Sequence, residues 1–524
     1  MVAACLGYYA LVKFLRPATA AWALASVLAV SACTPAGSAD SASGPEDLAP
    51  RDCGYEPPPE DLVPATLDRR DSARSWRVVQ LPSDVIDTLY AVVYFPTDPE
   101  LRAYEDGAPV MVGARPALFS DTLVTSMVPS AWGIVEVQPV YPGWVYEDYA
   151  SSGVSDAAGP LAAAALTEAI AFAAGHGHTV DGLSLRQLTG APVCNGGVVV
   201  SANSSGIIHA ARALVESPDL LDEMVLALVA AESPHLPQAV VGDLGFTHMD
   251  PDHQVDADGN GVTWDDFRNS DYQPGSCEDG GCPIDYSQIA WEPQLSLQSV
   301  FGDYYDGLAG GGLLYLDRND NGLLDISTAG SWDLDGDGAV EVSEDWPLLA
   351  WFDNVAPLER VMYSAEATEA ALELGVVTAG AWPTHISDAQ QARAFWDERS
   401  LMAMLPGIIA AAPADFGVYF TFSEVDHALA QASRPHIAQP YQALLEAGVS
   451  VRYNVSAPSM SCLVERERVA GWGGQLPWNE DLGEGELSEW ALPESISGDE
   501  WRALGAAGAF WEYLGPFDRC PALD

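Results

Sequence analysis

The sequence predicts an α/β fold in which a mostly parallel eight-stranded sheet is flanked by helices. Apolar, β-branched runs that predict strands at 418–422 and 449–455 are separated by a helical pattern at 435–447. Near the middle of the chain, the stretch 196–213 reads as a strand, a tight turn and a helix in direct succession. Because parallel strands are joined through crossovers, this alternation of strands and helices indicates a parallel sheet.

The remaining elements follow from the same patterns. Two short β-rich runs lie on either side of a turn at 82–84, which is typical of an antiparallel entry pair. In chain order, the predicted strands are 76–81, 89–95, 110–113, 133–138, 198–200, 224–230, 418–422 and 449–455. The predicted helices are 156–175, 207–215, 435–447 and 499–514.

Ser204 lies in the turn of the central strand–turn–helix stretch. A serine at the tip of such a turn needs small residues two positions before and after it, because a larger side chain would collide with the neighbouring helix or strand. Ala202 and Gly206 meet this requirement. The stretch therefore predicts a nucleophile elbow, although runs of small residues also occur in ordinary turns.

The order of these elements resembles that of the α/β-hydrolase fold over about 70–242 and 347–514. In that fold, a nucleophile elbow follows the fifth of eight strands, insertions follow the sixth and an acid follows the seventh. The resemblance implies that backbone amides hold the oxyanion, here those of Ser205 and of Ala114 or Arg115.

For a catalytic triad, the sequence has an acid at the position that the resemblance implies but no histidine at the position that it implies. Asp426 follows the seventh predicted strand, where the resemblance places the triad acid, and Glu424 is the alternative. The resemblance also implies a histidine after the eighth strand, but no histidine follows His436 in this sequence. His427 and His436 are therefore the candidate bases, whereas we expect His209 to pack within the elbow helix.

An insertion at 243–346 is rich in Asp, Gly and Asn and contains three copies of a spaced acidic pattern. Oxygen ligands at loop positions one, three and five, a glycine at six and an acid at twelve form a Ca²⁺ cage. Only the third loop meets every requirement, since Phe267 and Thr328 occupy position twelve of the first and second loops. The predicted ligands are Asp256, Asp258 and Asn260 in the first loop, Asp317, Asn319, Asn321 and Asp325 in the second, and Asp333, Asp335, Asp337, Ala339 and Glu344 in the third.

These three loops resemble EF-hand or dockerin-type loops, which implies Ca²⁺ as a bound ion. A solvated acidic linker is the alternative interpretation. Because the insertion is expected near the rim of the active site, it could form a lid whose order depends on Ca²⁺.

The N-terminus predicts export. An apolar segment too short to span a bilayer follows Lys13 and Arg16, which is typical of a signal peptide over 1–32. Small residues before Cys33 resemble a lipoprotein cleavage box, although an ordinary signal peptide with a chance cysteine is the alternative. A lipid on Cys33 would anchor the protein in a membrane, and Thr34 rather than Asp favours the outer membrane or cell surface. The predicted units are 1–32, a tether and linker at 33–69, a first hydrolase part at 70–242, the insertion at 243–346 and a second hydrolase part at 347–524.

The composition excludes several classes of function. The chain carries 75 acidic and 22 basic residues, and its formal net charge of −53 repels nucleic acid and anionic lipid. Its one lysine, Lys13, lies in the predicted signal peptide, which excludes a P-loop lysine, a Schiff-base lysine and a Ser–Lys dyad from the mature chain.

Six cysteines follow Cys33, and an even number in an exported chain favours disulfides. Spacing alone pairs Cys277 with Cys282 across a small loop, and Cys462 with Cys520 is a weaker second pairing.

Two functions remain. The first is an exported, calcium-binding serine hydrolase of the α/β-hydrolase type, an esterase or peptidase acting by acyl transfer on a small-molecule ester or peptide. The second is a non-catalytic surface protein that binds a partner in a Ca²⁺-dependent manner on a hydrolase-like scaffold.

Overall fold

The structure is a computed structural model. It describes residues 53–57, 69–70, 74–96, 107–116, 133–231, 233, 243, 284–296, 311–324, 345–353, 360–382, 385–421 and 434–453. The predicted signal peptide, Cys33 and the predicted helix 499–514 lie outside these residues.

Strands and helices alternate along most of the described chain. The strands are β1 (Cys53–Gly54), β2 (Arg69–Arg70), β3 (Arg74–Leu81), β4 (Leu89–Pro96), β5 (Ala108–Ala114), β6 (Val135–Val140), β7 (Val145–Tyr146), β8 (Tyr149–Ala150), β9 (Val193–Asn203), β10 (Val225–Ala231), β11 (Ile289–Glu292), β12 (Leu313–Leu316), β13 (Trp346–Pro347), β14 (Trp351–Asp353), β15 (Arg360–Met362), β16 (Gly417–Thr421) and β17 (Ser450–Tyr453). The helices are α1 (Pro160–Ala173), α2 (Leu185–Thr189), α3 (Gly206–Glu216), α4 (Asp219–Glu223), α5 (Ala365–Glu373), α6 (Ala389–Asp397), α7 (Leu401–Ala411) and α8 (Arg434–Glu446).

Ten of the described strands form the main sheet in the order β17-β16-β10-β9-β5-β6-β4-β3-β2, with β1 beside β9. Eight of them, β3 to β6, β9, β10, β16 and β17, are the eight that the sequence predicts. Seven of these eight run in the same direction, and only β4 is antiparallel to its neighbours β3 and β6. The predicted α/β class is therefore confirmed, as a mixed sheet rather than a strictly parallel one.

The two additional strands, β1 and β2, have two residues each and pair antiparallel with β9 and β3. Two residues are too few to produce a hydrophobic period, so no sequence pattern indicated them. They extend the sheet beyond the eight predicted strands without changing its order.

The first long helix begins later than the predicted residue 156. Ala157 and Ala158 have φ values of 48° and 63°, a left-handed conformation that cannot continue an α-helix. The carboxylate of Asp156 instead accepts hydrogen bonds from the backbone N–H groups of Gly159 (3.1 Å) and Leu161 (2.6 Å), so that α1 starts at Pro160. In the described part of the chain, none of the helices is long and apolar enough to cross a membrane.

The central strand β9 is buried on both of its faces. Val198, Val200 and Ala202 belong to the apolar cluster that contains α1 and α3. Val199 and Ser201 alternate with them on the opposite face and are no more than 1% exposed. The end of this strand is therefore held rigidly on both sides.

A second apolar cluster extends from Ile284 to Ile386 and contains residues of α5 and of the small antiparallel sheet β11-β12-β13, whereas the sheet β14-β15 contributes residues to both clusters. Leu313 and Leu316 of β12 lie at its centre and are fully buried. The boundary that the sequence predicts at residue 346 falls inside this cluster. The described part of the insertion therefore shares a hydrophobic core with residues 348–386.

Candidate functional site

The strand, turn and helix predicted around Ser204 are present in the structure. β9 ends at Asn203, α3 begins at Gly206, and Ser204 stands between them with a φ of 49°. A left-handed backbone costs a non-glycine residue about 1 kcal/mol or more, so its neighbours must hold it in place. The Ser204 N–H donates a hydrogen bond of 2.9 Å to the carbonyl oxygen of Ala231, at the end of the adjacent strand β10.

Gly206 allows the start of α3 to touch the end of β5. A Cβ at this position would lie only 2.2 Å from the carbonyl oxygen of Ala114, so no larger residue fits without a backbone shift. Ala114 also pairs in the sheet with Ala202, two residues before Ser204. The residues predicted to supply the oxyanion amides, Ala114 and Ser205, therefore lie on two backbone segments in direct contact.

The His209 side chain is buried and is not suited to act as the general base for Ser204. It is 1% exposed, and its Nδ1 lies 2.8 Å from the carbonyl oxygen of Arg115, which follows β5. Burial lowers the pKa of His209 to about 3, so the imidazole is neutral at physiological pH. A general base needs a pKa near the working pH, which makes His209 a packing residue, as expected from the sequence.

Three other histidines have described side chains, and these are His176, His178 and His385. His176 and His178 follow α1 and are exposed. They lie next to Gly175, which contacts Asn195 at the start of β9, and a strand of this length places its start about 30 Å from its end. His385 packs against Gly380. The side chains of the remaining histidines lie outside the described residues, and these are His235, His248, His253, His427 and His436.

The predicted acid, Asp426, and the predicted base His427 also lie outside the described residues. The strand that leads toward them is described. Thr421 ends β16 and pairs with Ala231, which in turn pairs with Asn203. The chain therefore leaves β16 at the level of the elbow.

Beside the end of β5, the structure brings together buried polar residues that no sequence motif marks as a group. Arg115, Glu136 and Gln138 are each no more than 4% exposed. The Arg115 Nε donates to the Gln138 side chain at 3.4 Å, and Gln138 donates to Glu136. Alternating polar residues in the run 135–140 were the only sequence signal for this cluster.

The first half of the second predicted calcium loop is described, and its backbone has the turn that such loops require. The Asp317 carboxylate accepts hydrogen bonds from the N–H groups of Asn321 (3.1 Å) and Gly322 (2.8 Å), and Gly322 has a φ of 73°. The Asn319 side-chain oxygen also accepts from Asn321, at 3.1 Å. Among the described residues, no three His, Cys, Asp or Glu side chains are grouped closely enough to hold a metal. The first and third loops, with Asp325 of the second, lie outside the described residues.

A disulfide joins Cys53 of β1 to Cys194 of β9. The two cysteines are 141 residues apart, and sequence spacing gave no reason to pair them. The predicted pairs Cys277–Cys282 and Cys462–Cys520 lie outside the described residues.

The sequence matches no protein-family profile and no curated protein sequence. Among solved structures, the chain is similar to the rice cell wall degrading esterase LipA from Xanthomonas oryzae, with 11% identity over 74% of this chain and 84% of that one, at a TM-score of 0.34. It is also similar to a mutant of the esterase rPPE, with 9% identity over 87% and 86% of the two chains and a TM-score of 0.30. A bacterial heroin esterase shares 13% identity over 34% of this chain at a TM-score of 0.23, and the present chain spans about half (52%) of its length.

Proposed function

We propose that this protein is an exported serine hydrolase of the α/β-hydrolase type, an esterase or peptidase, in which Ser204 is the nucleophile. The observation that carries the proposal is the left-handed backbone of Ser204 between β9 and α3. That strained conformation is costly and is maintained by the Ala231 hydrogen bond and by the packing of Gly206 on Ala114. Ser204 is partly exposed in this conformation, whereas its neighbours in the turn are buried.

In the proposed reaction, the Ser204 hydroxyl attacks the carbonyl carbon of an ester or amide. Its proton passes to a histidine base as the Oγ–C bond forms. The negative charge on the carbonyl oxygen is held by the backbone amides of Ser205 and of Ala114 or Arg115, and one such donor contributes roughly 3 to 4 kcal/mol. The base then protonates the leaving group, and water hydrolyses the acyl-enzyme by the same route in reverse.

The proposed acid is Asp426, with Glu424 as the alternative, and the proposed base is His427 or His436. Asp426 follows Thr421 by five residues, which gives the chain a reach of up to about 17 Å. β16 is separated from β9 by β10 alone, so the two strands are about 10 Å apart. This reach is sufficient to bring Asp426 to the elbow.

The nucleophile is tested by labelling with a fluorophosphonate probe. We expect the wild-type protein to be labelled and Ser204→Ala to be unlabelled at equal folded concentration. Ser233→Ala is a matched control, because Ser233 is also buried beside the elbow and donates to Ala231 at 3.1 Å. Labelling of Ser204→Ala at the wild-type level would refute Ser204 as the nucleophile.

The same labelling assay identifies the base. Alanine variants of the five histidines without a described side chain are compared one at a time, and we expect the His427 or the His436 variant to lose labelling. If all five are labelled like the wild type, the triad assignment fails.

The alternative proposal is a non-catalytic scaffold that binds a partner at a surface. The sequence lacks a histidine after the eighth strand, which is the observation that favours it. A folded wild-type protein that resists the fluorophosphonate probe at all pH values would support this second function over the first.

We also propose that the insertion binds Ca²⁺ through the three acidic loops. The turn at Asp317 and Gly322 supports this, because the Asp317 carboxylate accepts from the N–H groups at loop positions five and six, which gives the loop the sharp turn that such sites require. Such extracellular loops bind Ca²⁺ at roughly 10⁻⁴ to 10⁻³ M, so about 10 mM Ca²⁺ adds roughly 1 to 3 kcal/mol of stability.

Removal of Ca²⁺ is therefore expected to lower the melting temperature. Asp333→Ala or Glu344→Ala should reduce the difference between melting curves recorded with Ca²⁺ and with a chelator. Asp320→Asn serves as the control, because Asp320 is exposed, occupies loop position four and has a φ of 55° that asparagine tolerates. Identical melting curves with and without Ca²⁺ would contradict the proposal.

Export and anchoring through a lipid on Cys33 complete the proposal. The disulfide between Cys53 and Cys194 supports an oxidising compartment, in which such bonds persist. Retention of a Cys33→Ser variant in the membrane fraction would argue against the lipid anchor.

A further inference from the structure

The second predicted calcium loop contains an asparagine followed directly by a glycine, Asn321 and Gly322. Glycine has no side chain to shield its backbone nitrogen from the amide group of the asparagine before it. Asn321 is exposed, and a Cβ built on Gly322 would meet no atom of a non-adjacent residue within 4 Å. The asparagine side chain and water can therefore both reach the peptide group between these two residues.

The backbone nitrogen of Gly322 is hydrogen-bonded to a base. Its N–H donates to the Asp317 Oδ2 at 2.8 Å, in a turn that gives Gly322 a φ of 73°. A carboxylate at this distance can take up the proton of its donor, whereas the backbone carbonyls that usually accept from an amide cannot. Asp317 is therefore placed to remove the proton from the Gly322 nitrogen.

The side chain of Asn321 is folded over the same peptide group. Its Oδ1 accepts a hydrogen bond of 2.7 Å from the N–H of Leu323, two residues further on. Such a bond requires the side-chain amide to lie along the backbone of Gly322 instead of extending into solvent. The Leu323 N–H also stabilises the negative charge that develops on Oδ1 when the side-chain carbon is attacked.

We propose that Asn321 is a site of spontaneous deamidation in which Asp317 acts as the base. The Gly322 nitrogen forms a bond to the Asn321 Cγ as its proton passes to the Asp317 carboxylate. The bond from Cγ to the side-chain nitrogen then breaks, and this nitrogen takes up the proton and leaves as ammonia. A five-membered succinimide ring remains, and water opens it at one carbonyl carbon to give aspartate or at the other to give isoaspartate.

The modification changes the proposed calcium site, an effect that rests on the proposed Ca²⁺ binding. Asn321 occupies loop position five, where the third loop has Asp337. The aspartate product gives the second loop the same carboxylate, and ligand charge sets the affinity of such loops for Ca²⁺. The isoaspartate product inserts an extra backbone carbon before Gly322 and so displaces the glycine that position six requires.

The test measures deamidation by peptide mapping and mass spectrometry after the folded protein has been incubated with a chelator. Asn195 is a control within the same molecule, because it is also followed by glycine but is 4% exposed and lies inside β9. A synthetic peptide of residues 315–325 gives the rate without the fold. Asp317→Asn can still accept from the Gly322 N–H but cannot take its proton, and Asp320→Asn removes the same charge from the same loop.

We expect the wild type to be modified at Asn321 faster than the peptide is, and Asn195 to stay intact. Asp317→Asn should react about 10²-fold more slowly than the wild type, because a positioned base contributes at least about this factor. Asp320→Asn should keep the wild-type rate. Added acetate, a carboxylate in solution, should accelerate Asp317→Asn but not the wild type.

Three results would overturn the inference: equal rates at Asn321 and Asn195, a folded protein that reacts no faster than the peptide, or an Asp317→Asn variant that keeps the wild-type rate. A slow Asp317→Asn variant that acetate does not accelerate would overturn the function of Asp317 as the base. Because a chelator is present throughout, these results do not depend on the proposed Ca²⁺ binding.

Discussion

Removing the disulfide between Cys53 and Cys194 is expected to lower the free energy of unfolding by about 5 kcal/mol. The bond closes a loop of 141 residues, and loop-closure entropy makes such a long cross-link worth about this much. The expected change is near the upper end of the range for single disulfides. It is the largest loss of stability that we expect from any change discussed for this chain.

The native contacts around this bond strengthen the expectation. β1 pairs with the first residues of β9, so the bond lies against the central strand of the sheet. A few residues further on, Glu56 accepts a hydrogen bond of 2.5 Å from Ser184, the N-cap residue of α2. Among the described residues, the pairing of β1 with β9 and the Glu56–Ser184 hydrogen bond would still hold residues 53–57 once the disulfide is absent.

The experiment compares the double variant Cys53→Ser, Cys194→Ala with the wild type in urea under oxidising conditions. The control is the double variant Cys277→Ala, Cys282→Ala, which removes the pair predicted from spacing. A loop this short is worth only about 2 kcal/mol in the same treatment. Equal midpoints for the wild type and the Cys53–Cys194 variant, or peptide mapping that joins Cys194 to another cysteine, would contradict the expectation.

Sequence patterns predict the strands and turns that are specified by residues adjacent in the sequence. The run of valines before Ser204 specifies a strand buried on both faces, and the small residues around that serine permit a left-handed turn. The eight long strands were therefore recognised with errors of a few residues. β9 was predicted too short because the pair Gly196-Gly197 lies inside it, whereas glycines usually indicate the end of a strand.

The features that sequence patterns did not predict depend on contacts between distant segments. The pairing of Cys53 with Cys194 requires the sheet to place β1 beside β9. The hydrogen bond from His209 to Arg115 likewise joins residues 94 positions apart. Sequence periodicity does not predict such contacts, because they form only when distant segments of the chain are packed together.

Asp243 is a further example, and it leads to a prediction on pH dependence. Its carboxyl group is fully buried and accepts a hydrogen bond of 2.8 Å from the Tyr286 hydroxyl. Burial raises the pKa of Asp243 from its ordinary value of 3.8 to about 7, opposed by hydrogen bonds from Ser364 and Tyr286 and reinforced by the charge of Glu366. The folded protein therefore holds this proton more tightly than the unfolded chain.

The sign of the pH dependence follows from that difference. Below about pH 4 the carboxyl is protonated in both states, and its contribution to stability is fully present. As the pH rises toward 7, the unfolded chain loses the proton first, so stability falls by about 4 kcal/mol, at 1.36 kcal/mol for each pKa unit. Above about pH 7 the loss is complete and the curve levels off.

Asp243→Asn should remove this decline, because an amide accepts from Tyr286 but does not titrate. Urea unfolding of the wild type and the variant at several pH values between about 4 and 8 measures the difference. Asp285→Asn is the control, since hydrogen bonds from Ser287 lower the pKa of this exposed carboxyl and its effect has the opposite sign. Parallel curves for the wild type and Asp243→Asn would contradict the assignment.

The position of Asp243 also predicts where the structure loosens as the pH rises. Tyr286 precedes β11, and Ser364 caps the start of α5, where its side chain accepts from the Ala367 N–H at 3.1 Å. Both belong to segments of the second apolar cluster rather than to the main sheet. An ionised Asp243 destabilises the contacts that join those two segments. The loss of protection against hydrogen exchange should therefore be concentrated in β11 and α5. The amides of β9 should keep their protection.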